Sequence, residues 1–204
     1  MSEKPDLGLE PDDLGPDPMS QFRRWFEDAE AEGIHLANAV ALATTDAQGR
    51  PSARHVLLRA FDEEGFVFYT NYESGKARDL EENPRAAFTL LWRELDRQVC
   101  VSGRARRTSE TESDAYFAAR PREAQLGAWA SPQSSVIAER DALMIGFSEA
   151  DERFPDRVPR PPHWGGYRLL PQTVEFWQAR AFRLHDRIRY VRQDRDWRQE
   201  RLAP

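Results

Sequence analysis

ANAVALATT (37–45), DAQG (46–49), SARHVLLRAF (52–61), DEEG (62–65) and FVFYTN (66–71) follow one another with little between them. Three β-rich runs joined by two Asp-x-x-Gly connections are hairpin signals, because each glycine can close its turn at positive φ. They predict a three-stranded antiparallel meander. Beyond it, SGKARDLEENP (74–84) reads as a short helix ended by Asn83-Pro84. AAFTLLW (86–92) and RQVCVSGRARR (97–107) add two strands, the second with Val99 and Val101 on the face opposite Gln98, Cys100 and Ser102. TSETESDAYFAAR (108–120) opens like a helix, residues 134–154 are a longer helix candidate, and RFPDRVPRPP (153–162) is a connector. YRLL (167–170), TVEFWQ (173–178), IRYVR (188–192) and DWRQERL (196–202) read as strands joined by turns. On the other side, Met19, Phe22, Trp25, Phe26 and Ala29 recur at helical spacing up to a stop at Gly33.

Six to eight strands with a few helices between them imply a mainly β, α+β chain: an antiparallel barrel decorated by helices. The regular βαβ alternation of a dinucleotide-binding fold is absent, as are its Gly-rich fingerprint and a Walker loop. Any bound phosphate must therefore be held by side chains. Residues 1–18, with four prolines and six acids against one lysine, read as a mobile arm; residues 19–204 read as a single domain.

Composition narrows the classes further. The single cysteine, Cys100, allows no intramolecular disulfide and points to a reducing, cytoplasmic setting. The net charge of −6 argues against nucleic acid as a partner. No apolar run approaches membrane-spanning length, and the acidic N-terminus is unlike a secretory signal. Histidines at 35, 55, 163 and 185 have no i, i+4 pair, so no metal site is expected. Of the 29 cations only Lys4 and Lys76 are lysines; the arginine bias makes an Arg in place of a Lys less informative.

Two clusters could carry chemistry. RHVLLR (54–59), YTN (69–71) and SGK (74–76) gather arginines, a lysine and hydroxyls at strand ends, which suits a phosphate monoester. From spacing alone, a solvated barrel rim with surface ion pairs is the favoured reading of the same residues. EFWQARAFRLHDRIRY (175–190) packs Trp177, Arg183, His185 and Arg187 together, as a planar conjugated ligand would require. It reads equally as an edge hairpin with a core aromatic and solvated arginines.

RHVLLR, FVFYTN, SGKARDLEENPRAAF, DRQV (96–99), YFAARPREAQLGAWASPQSS (116–135), WGGYRL (164–169), EFWQ, RLHDR (183–187) and the terminal RLAP, in this order, resemble the pyridoxamine 5′-phosphate oxidase family. The resemblance runs from about Asp17 to Pro204. It implies a split β-barrel that works as a homodimer, with FMN at the subunit interface. It also implies oxidation of pyridoxine 5′-phosphate and pyridoxamine 5′-phosphate to pyridoxal 5′-phosphate, with dioxygen reduced to hydrogen peroxide and ammonia released from the amine. Carried over by position, FMN would meet Arg54, His55, Val56, Leu57, Leu58, Arg59, Tyr69, Thr70, Lys76, Gln98, Gln133, Ser134, Trp177 and Arg187. Arg59, Tyr116 and Arg120 would take the substrate phosphate. Arg183, Leu184 and His185 would meet the pyridine ring, Arg183 and His185 as the catalytic pair.

Four positions depart from the family pattern. Arg59 stands for a usual Lys, Gly75 for a usual Arg on the cofactor phosphate, and Ala124 for a usual Ser in the substrate phosphate pocket. An Arg-x-x-Tyr lid segment is missing from the arm, where nothing before Gly8 matches. These departures keep two alternatives open: a sister FMN oxidase of the phenazine-pathway type, and a non-catalytic flavin- or B6-binding protein.

Overall fold

Asp17 begins the first helix by accepting from the backbone N–H groups of Met19 and Ser20, both at 2.9 Å, with Pro18 at the first helical position. The computed structural model describes residues 8–194 and 196–204. In chain order the elements are α1 (Pro18–Ala31), β1 (Ala39–Thr45), β2 (Pro51–Leu57), β3 (Ala60–Asp62), β4 (Gly65–Asn71), α2 (Gly75–Glu82) and β5 (Arg85–Trp92). They continue with β6 (Arg97–Arg107), α3 (Glu110–Ala118), α4 (Arg122–Ala130), α5 (Asp141–Arg153), β7 (Trp164–Gln178), β8 (Asp186–Gln193) and β9 (Asp196–Arg201). Gly33, at φ +74°, ends α1, and Ile34 N–H reaches back to Ala29 C=O.

All nine strands form one antiparallel sheet, ordered β2-β1-β5-β6-β7-β4-β3, with β8 and β9 added on β7. The long β7 makes the sheet fork. Its Trp164–Leu169 half pairs with β4, and its Thr173–Gln178 half pairs with β8. A bulge in β7, where Gln172 is left unpaired opposite Ser102 and Gly103 of β6, bends β7 at the join. Gly103 is required there, since a Cβ would lie 2.1 Å from the Leu170 carbonyl oxygen. The sheet therefore curls into a split barrel, mainly β with helices packed outside it.

Alternating apolar positions fill the barrel. Phe22 and Trp25 of α1 plug it, Phe22 edge-on to Phe66 at 4.8 Å and Trp25 edge-on to Phe176 at 5.1 Å. Phe88, Trp92, Val99 and Val101 complete this core, and a smaller cluster of Phe117, Leu126, Val158 and Trp164 lies under α3–α5. No helix among the described residues is long and apolar enough to cross a membrane.

Several expectations change. The predicted meander breaks at Leu58: its N–H binds Asn38 C=O beside β1, while the next N–H, of Arg59, binds Val67 C=O of β4. β2 therefore pairs with β1, and the short β3 takes up the hairpin with β4. The helix expected over 134–154 starts only at Asp141, because Ser134 sits at φ +70° in an irregular 131–140 segment. Helix α4 was not anticipated: its apolar positions make only a weak stripe, and Gly127 interrupts it. The two strands expected over 167–178 are one, Pro171 being accommodated at the bulge.

The expected arm lies partly outside the described residues, as does the comparison with the lid. Its described part is seated on the barrel. Leu9 and Leu14 are buried, and Gly15 C=O accepts from Tyr190 Oη at 2.7 Å.

Candidate active site

A cavity of about 580 Å³ opens between the end of β4, strand β2, and helices α3 and α4. Its walls include eleven residues expected at the site: Arg54, His55, Val56, Leu57, Arg59, Tyr69, Thr70, Lys76, Tyr116, Arg120 and Gln133. Asn71, Ala124, Gly127, Ala128, Ser131 and Trp164 complete it.

Lys76 is the most constrained charge in this wall. It lies in the first turn of α2, 9% exposed, and its Nζ donates to Thr70 Oγ1 (3.0 Å), Ser74 Oγ (3.1 Å) and Gln133 Oε1 (3.2 Å). All three acceptors are neutral. Burial, and then the neighbouring Arg54 charge, lower its pKa from 10.5 to about 8. Arg54 is itself held by Thr44 Oγ1 at 2.6 Å and lies 3.6 Å from Asp79. A buried cation with only neutral partners, next to a second cation, is stabilised by a bound anion.

Arg120 forms a second such position on the opposite wall. It lies over the Trp164 ring, 4.6 Å from the centroid, and its Nη1 is buried with no hydrogen-bond partner among the described residues. Burial, and the charge of Arg59, lower its pKa. Beside it Tyr69 and Tyr116 stack at 3.8 Å between centroids, with Trp164 parallel to both, making a flat aromatic wall. Burial pushes the Tyr69 phenol up, so that hydroxyl stays protonated.

The remaining expected residues lie elsewhere. Leu58 is in the barrel core, 4% exposed, while Ser134 stands beside Gly75, where a Cβ would lie 3.8 Å from its Oγ. Gln98, Trp177 and Arg187 meet in register across β6, β7 and β8, away from the cavity lining. Arg187 is paired with Glu175 through two bonds, at 2.8 and 3.1 Å. The His185 ring lies 4.6 Å from Trp177, and its Nδ1 accepts from Arg180 N–H at 3.1 Å. A neutral His185 therefore carries its proton on Nε2 and has one donor left to offer. Arg183 and Leu184 project from the same turn, both exposed. One chain thus carries two clusters, an inner and an outer, that it does not itself join.

Trp164 and Ser74 are the structurally important residues that sequence reasoning left unassigned. Both adjoin motifs already singled out, Ser74 opening SGK and Trp164 opening WGGYRL. Among the described residues, no group of three His, Cys, Asp or Glu side chains is placed to hold a metal.

A split barrel whose one cavity carries two cations without an anionic partner among the described residues defines a class of site suited to anions held by side chains. The comparisons with known proteins specify it. The pattern described as pyridoxamine 5′-phosphate oxidase matches residues 26–154, and that of the pyridoxine 5′-phosphate oxidase C-terminal dimerisation region matches residues 164–204. The pyridoxine/pyridoxamine 5′-phosphate oxidase of Rubrobacter xylanophilus is 57% identical over 97% of this chain and 91% of its own length. The protein of that name from Streptomyces avermitilis is 52% identical over 97% and 91%. Among solved structures, PhzG from Burkholderia lata 383, in complex with tetrahydrophenazine-1-carboxylic acid, superposes with a TM-score of 0.91 at 36% identity, covering 97% of this chain and 98% of that one. A pyridoxamine 5′-phosphate oxidase-related, FMN-binding protein from Nostoc punctiforme shares the fold, with a TM-score of 0.72 at 22% identity, covering 97% and 100%. The chain belongs to the pyridoxamine 5′-phosphate oxidase family, a family of flavin-dependent oxidases.

Proposed function

We propose that this protein oxidises pyridoxine 5′-phosphate and pyridoxamine 5′-phosphate to pyridoxal 5′-phosphate with FMN as cofactor and dioxygen as acceptor, in the cytoplasm. Hydrogen peroxide is the second product, and ammonia leaves when the substrate is the amine. The observation that carries the reading is a pair of cations on one cavity, Lys76 with only neutral acceptors and Arg120 with its Nη1 unpartnered among the described residues. Two anion positions suit one phosphate from the cofactor and one from the substrate.

The residues present fit a flavin monophosphate. Lys76 and Arg54 neutralise its phosphate, helped by the Thr70 and Ser74 hydroxyls, while Gln133 and Ser134 stand at the same end of the cavity. Bound FMN supplies the two-electron acceptance that oxidises the substrate's 4′ carbon and delivers those electrons to dioxygen. Arg120, Tyr116 and Arg59 hold the substrate phosphate, remote binding that keeps the ring in place for reaction. Arg183, Leu184 and His185 meet the ring, His185 donating through Nε2.

The outer cluster has to reach a cavity it does not line in its own chain. A homodimer provides this: Gln98, Trp177, Arg187 and the Arg183–His185 turn of one protomer complete the cavity of its partner. The match of residues 164–204 to a dimerisation region supports the arrangement.

The test is aerobic incubation of the purified yellow protein with each ester, following aldehyde and peroxide together. Equal yields of the two from both esters are expected. Bound flavin without aldehyde from either ester would overturn the reading, leaving the phenazine-type oxidase or the flavin-binding protein in its place.

A further inference from the structure

The turn that carries Arg183 and His185 is unusual in its backbone. Phe182 and Arg183 are successive non-glycine residues at φ +57° and +63°. Such a conformation is strained for a residue with a Cβ and persists only where the surroundings enforce it. The turn's own side chains do not enforce it: Phe182 is 93% exposed and Leu184 67%. Within the turn, Leu184 N–H to Ala181 C=O and Arg180 N–H to His185 Nδ1 close it, both at 3.1 Å.

Its base is held differently. The Asp186 carboxylate, 14% exposed, accepts Leu9 N–H at 3.0 Å, pairs with Arg201 Nη1 at 2.8 Å and lies 3.4 Å from Arg180 Nη1. Arg201 in turn donates to Leu9 C=O at 3.1 Å. One carboxylate therefore joins three parts of the chain that are distant in sequence: the amino-terminal segment, the last strand and the residue that starts the turn.

We propose that Asp186 is a positioning residue whose three contacts clamp the base of the 180–185 turn and so hold Arg183 and His185 in their substrate-binding arrangement. The inference rests on the function proposed above and adds to it a residue that need not touch substrate. A turn only fractionally in its competent arrangement raises the apparent dissociation constant by the inverse of that fraction. Loosening the clamp therefore acts on KM, while a saturating substrate restores the arrangement and leaves kcat.

The experiment compares Asp186→Ala and the near-isosteric Asp186→Asn with wild-type holoenzyme. It reads KM and kcat for pyridoxamine 5′-phosphate, flavin content, and amide hydrogen exchange of residues 180–185. For Asp186→Ala the expectation is KM raised about tenfold with kcat within about twofold, flavin content unchanged, and exchange of the turn about tenfold faster. Asp186→Asn, which keeps an acceptor for Leu9 but weakens both guanidinium pairs, should fall between the two, and it alone decides the matter if the alanine variant does not fold. Unchanged KM and unchanged exchange in the folded variant would overturn the proposal. So would a loss of flavin or of fold with KM unmoved, which is the signature of a merely structural carboxylate. If the wild type turned over neither ester, the function would fall; the exchange result would still decide the clamp.

Discussion

The inner and outer clusters invite opposite inferences although both are rich in arginine. Lys76 and the Nη1 of Arg120 are buried and have no anionic partner among the described residues, whereas Arg187 is satisfied twice by Glu175 and the Arg183 turn stands in solvent. An unsatisfied buried cation is expensive in the empty protein and is stabilised by its ligand. A paired, exposed cation costs little and gains little until something covers it. On the proposed function, the inner cluster is preorganised for anions within one chain, and the outer cluster becomes a binding surface when the partner protomer meets it.

The largest effect is expected at the inner cluster. Arg120→Ala removes the guanidinium whose buried Nη1 has no hydrogen-bond partner among the described residues. It should lower kcat/KM for pyridoxine 5′-phosphate by roughly 10²–10⁴-fold, from the about 3–5 kcal/mol lost when one partner of a buried charge pair is removed. Steady-state kinetics with the phosphorylated and unphosphorylated alcohols checks this, since the unphosphorylated one should be almost indifferent. Intact turnover of the ester would move its phosphate out of this position.

Lys76→Met should weaken flavin binding by about 10- to 150-fold, the worth of a charged hydrogen bond of about 1.5–3 kcal/mol, read by fluorescence titration of the apoprotein. The pH dependence has a definite sign. With its pKa lowered to about 8, free Lys76 loses its charge as pH rises through 8, so flavin affinity should fall by about tenfold per pH unit above that point. Between pH 8 and 10.5 the unfolded chain still holds this proton and the folded apoprotein does not, so the apoprotein's stability should rise over the same window. Flavin affinity and apoprotein stability moving in the same direction there would show that Lys76 does not face the cofactor phosphate.

The division between clusters also marks what the sequence made legible. The 3.6-residue pattern of Met19, Phe22, Trp25 and Ala29 and the alternation around Val99 and Val101 reflect burial, and both elements formed where that pattern placed them. RHVLLR, YTN and SGK could be grouped because they lie close together in sequence, although spacing alone favoured a solvated rim; Tyr116, Arg120 and Gln133, which line the same cavity, entered only through the family resemblance. Three things were not legible. Alternation shows which face a residue takes but not which strand it joins, so the shift at Leu58 from β1 to β4 was invisible. Helix α4 gave no strong stripe, because it packs chiefly through Leu126. The seat of Leu9 on Asp186 depends on a contact across 177 positions, in a segment whose composition alone resembles a disordered tail.

Whether the two clusters serve one site can be tested by mixing defects. Lys76→Met and Arg187→Ala chains, each flavin-poor as homodimers, are co-expressed and purified through two tags. If each site takes its inner cluster from one protomer and its outer cluster from the partner, every mixed dimer has one intact site and one doubly defective site. Purification through both tags leaves only mixed dimers, so about half of all sites should bind flavin with wild-type affinity. Clusters acting within one chain would leave no intact site, and no recovery would be seen.

The smallest effect concerns Ala124, which faces the same cavity as Arg120 and Tyr116 from the first turn of α4. The family resemblance implies a serine there, whose hydroxyl would add one donor to the anion that Arg120, Tyr116 and Arg59 hold on the proposed function. Because those groups supply most of the attraction, Ala124→Ser should sit at the low end of the about 1.5–3 kcal/mol for a charged hydrogen bond, or roughly tenfold in KM. The phosphate is bound alike in the ground and transition states, so kcat should not move. A lowered KM with constant kcat for pyridoxine 5′-phosphate would place the substrate phosphate beside position 124, on the inner cluster's side of the site. A change in flavin affinity with KM unaltered would instead put the cofactor phosphate there, and would exchange the roles given to Lys76 and Arg120.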